Sequence, residues 1–130
     1  SIKHDIYTCV EVLDKNNVEH LRRAGANEIL PTNALVGCLL ARASLNPGII
    51  DVINDVASAG EGAEIYVIAP PQGVLGKTFN EALPVLRERH GYILIGVRNG
   101  AGGVEVCPAA NQTIGPELEL VILALEPPTA

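Results

Sequence analysis

The chain has 130 residues, 48% hydrophobic but only 3% aromatic, with a formal net charge of −6 and a pI near 4.9. That length suits one compact domain or two small subdomains sharing a core; the hydrophobic share excludes disorder, and the core must be built from Ile, Leu, Val and Ala. The acidic balance, with no basic cluster longer than Arg22-Arg23, excludes a nucleic-acid surface, and no apolar run approaches the roughly 18 residues of a membrane span. No charged-then-apolar signal segment opens the chain. Cys9, Cys38 and Cys107 are odd in number, far apart and without a C-x-x-C. They read as buried small hydrophobes in a reduced compartment, not as a disulfide framework or zinc site.

In chain order, Ile6 to Leu13 reads as a strand. Asp14 to Asn17 supply cap residues for a helix bearing Val18, Leu21 and Ala24 on one side, which Gly25 ends. Asn27 to Leu30 follows as a short strand, stopped by Pro31. Strand, helix and strand with short turns make a parallel unit. Two parallel strands cannot bury themselves, so this segment reads as the end of a larger open sheet. Thr32 and Asn33 are placed to cap a helix through Ser44. Its Leu35, Val36, Cys38, Leu39, Leu40 and Ala43 wrap nearly all round, which predicts burial within the domain or against a partner. After the Asn46-Pro47-Gly48 turn, Ile49 to Val56 is an amphipathic helix. Residues 58–62 form a small polar linker.

Glu64 to Ala69 is a strand closed by Pro70-Pro71. Thr78 and Glu81 have capping-box spacing, and Phe79, Ala82, Leu83 and Leu86 make one apolar helical face. Pro84 inside that pattern predicts two short helical pieces meeting at Leu83. His90-Gly91 ends the second piece, Tyr92 to Val97 is a buried strand, and residues 99–103 turn a hairpin into Val104–Cys107. Leu118 to Leu125 is the last strand.

Chemistry-bearing patterns are few. Gly76-Lys77-Thr78 lies between a strand and a helix, but a phosphate-binding loop needs a glycine where Pro71 stands. Lys77 therefore reads as a solvated charge. Ser44 and Ser58 lie in no nucleophile elbow, the glycines at 100–103 open no helix, and His4, His20 and His90 are scattered. Asp5, Glu11 and Asp14 can gather at the end of the first strand, with Glu11 the suggestive acidic position for a metal ligand.

The residues also carry a family resemblance. The run from Asn17 to Pro31, N-V-E-H-L-R-R-A-G-A-N-E-I-L-P, resembles the last helix and strand of the Rossmann half of RCK domains, the TrkA-type regulators of potassium conductance. Asn33 to Val56 resembles the helix pair that follows in that family. Gly76 to Phe79, Gly91 to Arg98 and Val106 to Pro108 resemble its C-terminal subdomain. This sequence has Glu117-Leu118 where the family usually has Gly-Asp, and it does not contain the family's glycine-rich nucleotide loop, so the resemblance is to the C-terminal part of such a domain within a longer protein.

The resemblance implies an α/β then α+β chain. Residues 1–32 would end a Rossmann-like parallel unit, residues 33–59 form a dimerisation helix pair, and residues 60–130 a small β-α-β-β-β C-terminal subdomain. It implies no enzyme, but a cytosolic ligand-sensing domain that gates a potassium channel or transporter through conformational coupling in a homodimer or larger ring. The partner would be a membrane pore domain of the same or another chain, at the cytoplasmic face, with no insertion of this segment. Leu35, Leu39, Ile49 and Ile53 would line the dimer contact. Arg87, His90, Tyr92 and Arg98 would take an anionic, aromatic ligand such as a nucleotide. Some members bind Ca2+ through two alternating glutamates; Glu11 matches one, and Leu13 stands where the second would be. The alternatives are a C-terminal fragment of a nucleotide-dependent oxidoreductase and a purely structural dimerisation module.

Overall fold

The computed structural model describes residues 6–58 and 62–129. The chain divides into two units, Ser1–Val52 and Ile53–Ala130.

In the first unit, β1 (Cys9–Val12) runs parallel to β2 (Glu28–Pro31), and α1 (Val18–Arg23) connects them after a 3-10 turn at Lys15–Asn17. Asp14 caps that turn by accepting the Asn16 amide at 2.9 Å. Gly25 ends α1 with φ at 96°, a conformation that costs glycine nothing. A reciprocal clamp sets the register. The Asn27 carbonyl oxygen Oδ1 accepts the Thr8 amide at 2.8 Å, and Thr8 Oγ1 accepts the Asn27 amide at 3.2 Å.

Next comes α2 (Thr32–Leu45). Thr32 and Asn33 do not cap it from outside but lie in its first turn. Their side chains reach back instead, Thr32 Oγ1 donating to Glu11 at 2.7 Å and Asn33 Nδ2 to the Leu13 carbonyl at 3.1 Å. None of the apolar residues of α2 is buried, and Leu35, Val36, Leu40 and Leu45 are exposed. Another helix, α3 (Ile49–Ala57), likewise buries no residue.

The second unit holds a four-stranded antiparallel sheet of β3 (Glu64–Ile68), β4 (Ile93–Arg98), β5 (Val104–Val106) and β6 (Glu119–Ala124), ordered β3-β6-β4-β5. The last strand thus inserts between two earlier ones. Helix α4 (Phe79–His90) packs with this sheet around the main core. Val74, Leu86, Ile114, Leu120 and Ile122 are its largest fully buried side chains. Each contributes roughly 1.5–3 kcal/mol by leaving water. At the margin of this core, Tyr66 donates to Glu64 Oε2 at 3.0 Å. Loss of water around the ring, and then the Glu64 carboxylate, push the Tyr66 phenol above its ordinary pKa.

Pro84 does not divide α4, which runs unbroken from Phe79 to His90. The missing Pro84 N–H frees the carbonyl of Asn80, and both residues lie on the exposed side, where water replaces the bond. Thr78 and Glu81 form a full capping box, and Gly91 closes the helix with φ at 74°. The cysteines differ from their expected burial: all three are free and exposed, so they do not serve as core hydrophobes. No helix among the described residues is long and apolar enough to cross a membrane.

Candidate functional site

The end of α4 borders a concavity of the second unit. His90 is its last residue, Gly91 turns the chain in the left-handed conformation, and Tyr92 leads into β4. That reversal stacks the two rings, with centroids 5.0 Å apart and planes 15° from parallel. Tyr92 is buried and His90 exposed, so the pair presents one open ring supported from beneath.

Arg87, Arg89, His90, Gly91 and Tyr92 line one side of a cavity of about 620 Å3, and residues 124–127 with Thr129 line the other. That volume falls within the range of small-molecule sites, about 300–1,000 Å3. Its charged lining residues are Arg87, Arg89 and the carboxylate Glu126, with His90 beside them. Arg87 is partly occupied, since Nη1 donates to the Gly91 carbonyl at 2.8 Å. Arg89, which reads from the sequence as an ordinary solvated helix charge, has no ion pair with a described residue. Its guanidinium lies over Gly73, where an added Cβ would stand 2.7 Å from Nη1. A second concavity, lined by Ile68, Pro70, Pro71 and Pro128, shares His90 and Tyr92.

The structure brings Arg87, His90 and Tyr92 together but not Arg98. Arg98 is absent from that lining and forms an ion pair with Glu119, its register partner on β6. In the first unit Glu11 is engaged by Thr32, and Asp14 by the turn it caps; Asp5 lies outside the described residues. No group of three metal-ligating side chains gathers among the described residues. Of the residues expected at a dimer contact, Leu35 and Ile53 are exposed, while Leu39 and Ile49 are half-buried.

Gly76-Lys77-Thr78 is not a phosphate cradle. Its three backbone amides are all used within the chain: Gly76 to the Ile114 carbonyl at 2.8 Å, Lys77 to Val74 at 3.1 Å, and Thr78 to Glu81 Oε1 at 2.9 Å. A phosphate-binding loop needs such amides free. Lys77 is half-buried rather than fully solvated.

The chain has an RCK-like fold. The structure of the human SLO3 gating ring matches it with a TM-score of 0.70 at 14% identity, over 90% of this chain and 26% of that chain. The GsuK RCK domain is 21% identical over 95% of this chain and 26% of its own, at a TM-score of 0.43. The GsuK channel bound to NAD is 17% identical over 92% and 21%, at 0.42. The fold relationship rests on the SLO3 likeness, and the chain spans about a quarter of the solved chains it resembles. No family model and no curated protein matches the chain.

Proposed function

We propose that this chain is a ligand-sensing regulatory domain that gates a potassium channel or transporter, working at the cytoplasmic face beside a membrane pore. Ligand in the cavity beside His90 and Tyr92 shifts the population of paired copies, which the apolar surfaces of α2 and α3 hold together. In this reading the organisation is threefold: residues 1–32 end a Rossmann-like half, 33–59 pair the copies, and 60–130 sense the ligand. The fold likeness to the SLO3 gating ring carries the reading. The cavity adds chemical support, because a stacked ring beside guanidinium groups suits an anionic ligand with an aromatic base.

The test is calorimetry of the 130-residue chain with cyclic dinucleotides, nicotinamide dinucleotides and Ca2+. Binding of a nucleotide that weakens at least roughly tenfold in Arg89→Gln and His90→Ala supports the site, the loss expected for one charge-assisted contact. Arg98→Ala should leave that affinity nearly unchanged, since Arg98 pairs with Glu119. No heat with any of these ligands would shift the reading to a purely structural pairing module.

A further inference from the structure

The connection between β4 and β5 carries a reactive pair. Asn99 is the one asparagine of the chain that is followed by glycine, and both residues are exposed. The turn fixes the Asn99 side chain, whose Oδ1 accepts the Ala101 amide at 3.0 Å and the Gly103 amide at 3.1 Å. Its main chain is fixed as well. The Asn99 amide donates to the Gly103 carbonyl and the Gly102 amide to the Asn99 carbonyl, each at 2.9 Å. A side-chain oxygen bonded to the amide two residues on closes a ring through the peptide between them. That ring folds the Asn99 side-chain carbonyl back toward the Gly100 nitrogen.

The attacking and departing groups are both open. The Gly100 amide donates to no described residue, and a Cβ built on Gly100 would meet nothing within 4 Å. Asn99 Nδ2 likewise donates to no described residue. It lies over Gly103, where an added Cβ would stand 3.0 Å away, so the missing side chain leaves it room.

We propose that Asn99 is a modification site, at which the folded turn promotes conversion to aspartate and isoaspartate through a cyclic imide, with water as co-reactant. A base in solvent takes the Gly100 N–H proton, and the electron pair of that nitrogen forms a bond to Asn99 Cγ. Charge moves onto Oδ1, at which the Ala101 and Gly103 amides are already aimed, the arrangement that stabilises an oxyanion. The Cγ–Nδ2 bond then breaks, and ammonia leaves with a proton taken from water. A water molecule opens the imide, at the side-chain carbonyl to give aspartate or at the main-chain carbonyl to give isoaspartate. Aspartate can keep both amides, now as charge-assisted bonds. The second unit thereby gains a lasting negative charge next in sequence to Arg98, which pairs with Glu119.

Incubation of the 130-residue chain at mildly alkaline pH, followed by peptide mass mapping, tests this. The peptide holding Asn99 should gain the mass of an amide turned acid, with isoaspartate present as the mark of the imide. Gly100→Ala should slow conversion at least roughly tenfold, because its methyl hinders the attacking nitrogen while meeting nothing in the fold. The chain unfolded in guanidinium chloride loses both donors and should convert at least about threefold more slowly. That is a small part of the roughly 100- to 1,000-fold a buried oxyanion donor supplies, since this turn lies in water. Four results would each overturn the proposal: Asn99 left unconverted, acid without isoaspartate, an unchanged rate in Gly100→Ala, or a rate as high in the unfolded chain.

Discussion

A Cβ placed on Gly96 would overlap the carbonyl oxygen of Glu105 on the neighbouring strand. Register between β4 and β6 shifts at this point, between Leu94 and Gly96, so β4 carries a bulge here. The glycine lets β5 approach a distorted strand backbone to backbone. Gly96→Ala should therefore destabilise the second unit by about 1–3 kcal/mol, as overpacking against backbone does. Gly100→Ala, whose added Cβ meets nothing within 4 Å, should be nearly neutral. Urea melts of the two variants check the difference; equal midpoints would contradict the close approach.

The start of α4 should respond to acid. Thr78 Oγ1 accepts the Glu81 amide at 3.2 Å, and Glu81 Oε1 accepts the Thr78 amide at 2.9 Å. The Thr78 backbone amide, then its side chain, holds the Glu81 pKa below the ordinary 4.5. A carboxylate whose folded-state pKa is depressed stabilises the fold above its unfolded pKa, and that contribution is lost as pH falls through the folded value. Glu81→Gln should flatten this acid limb, since Gln can accept the same bond but does not titrate. Thr78→Ala should cost about 1 kcal/mol at neutral pH. Denaturation midpoints measured against pH read both effects.

Ile53→Asp should shift the chain toward monomer or reduce its solubility, because it sets a charge among the exposed aliphatic residues of α3. Ile50 and Val52 are exposed on the same helix, so the substitution removes no buried contact and the fold should survive. Light scattering that shows an unchanged, well-folded assembly would exclude this helix as a pairing surface.

The chain should hydrolyse no nucleoside triphosphate through Gly76-Lys77-Thr78. The three amides are already committed to Ile114, Val74 and Glu81. Freeing them would break the contact of this loop with the connection leading to β6. ATP turnover above background that vanishes in Lys77→Ala would overturn this.

Local chemistry makes much of this chain legible from its residues alone. The T-x-x-E of Thr78 to Glu81, the glycine after His90, the turn at residues 99–103 and the Asp14 cap each act over a few residues, so the sequence by itself determines them. The parallel unit is legible for the same reason, being a short strand, helix and strand joined by short turns.

Tertiary structure decided what depends on neighbours distant in the chain. Proline chemistry predicts a break in α4 at Pro84, yet that residue sits on the exposed side, where one lost hydrogen bond goes to water while Ala82 and Leu86 stay locked in the core. Cysteine spacing suggests burial, but exposure depends on which neighbours cover a residue, and spacing carries no record of that. Strand order is equally hidden: only folding sets β6 between β3 and β4, and that insertion brings Glu119 opposite Arg98. The cation expected to face a ligand is thereby engaged. Arg89, which nothing in its local sequence sets apart, instead lines the cavity with no ion-pair partner among the described residues, its guanidinium lying over Gly73, because the fold of the chain around the end of α4 places it there.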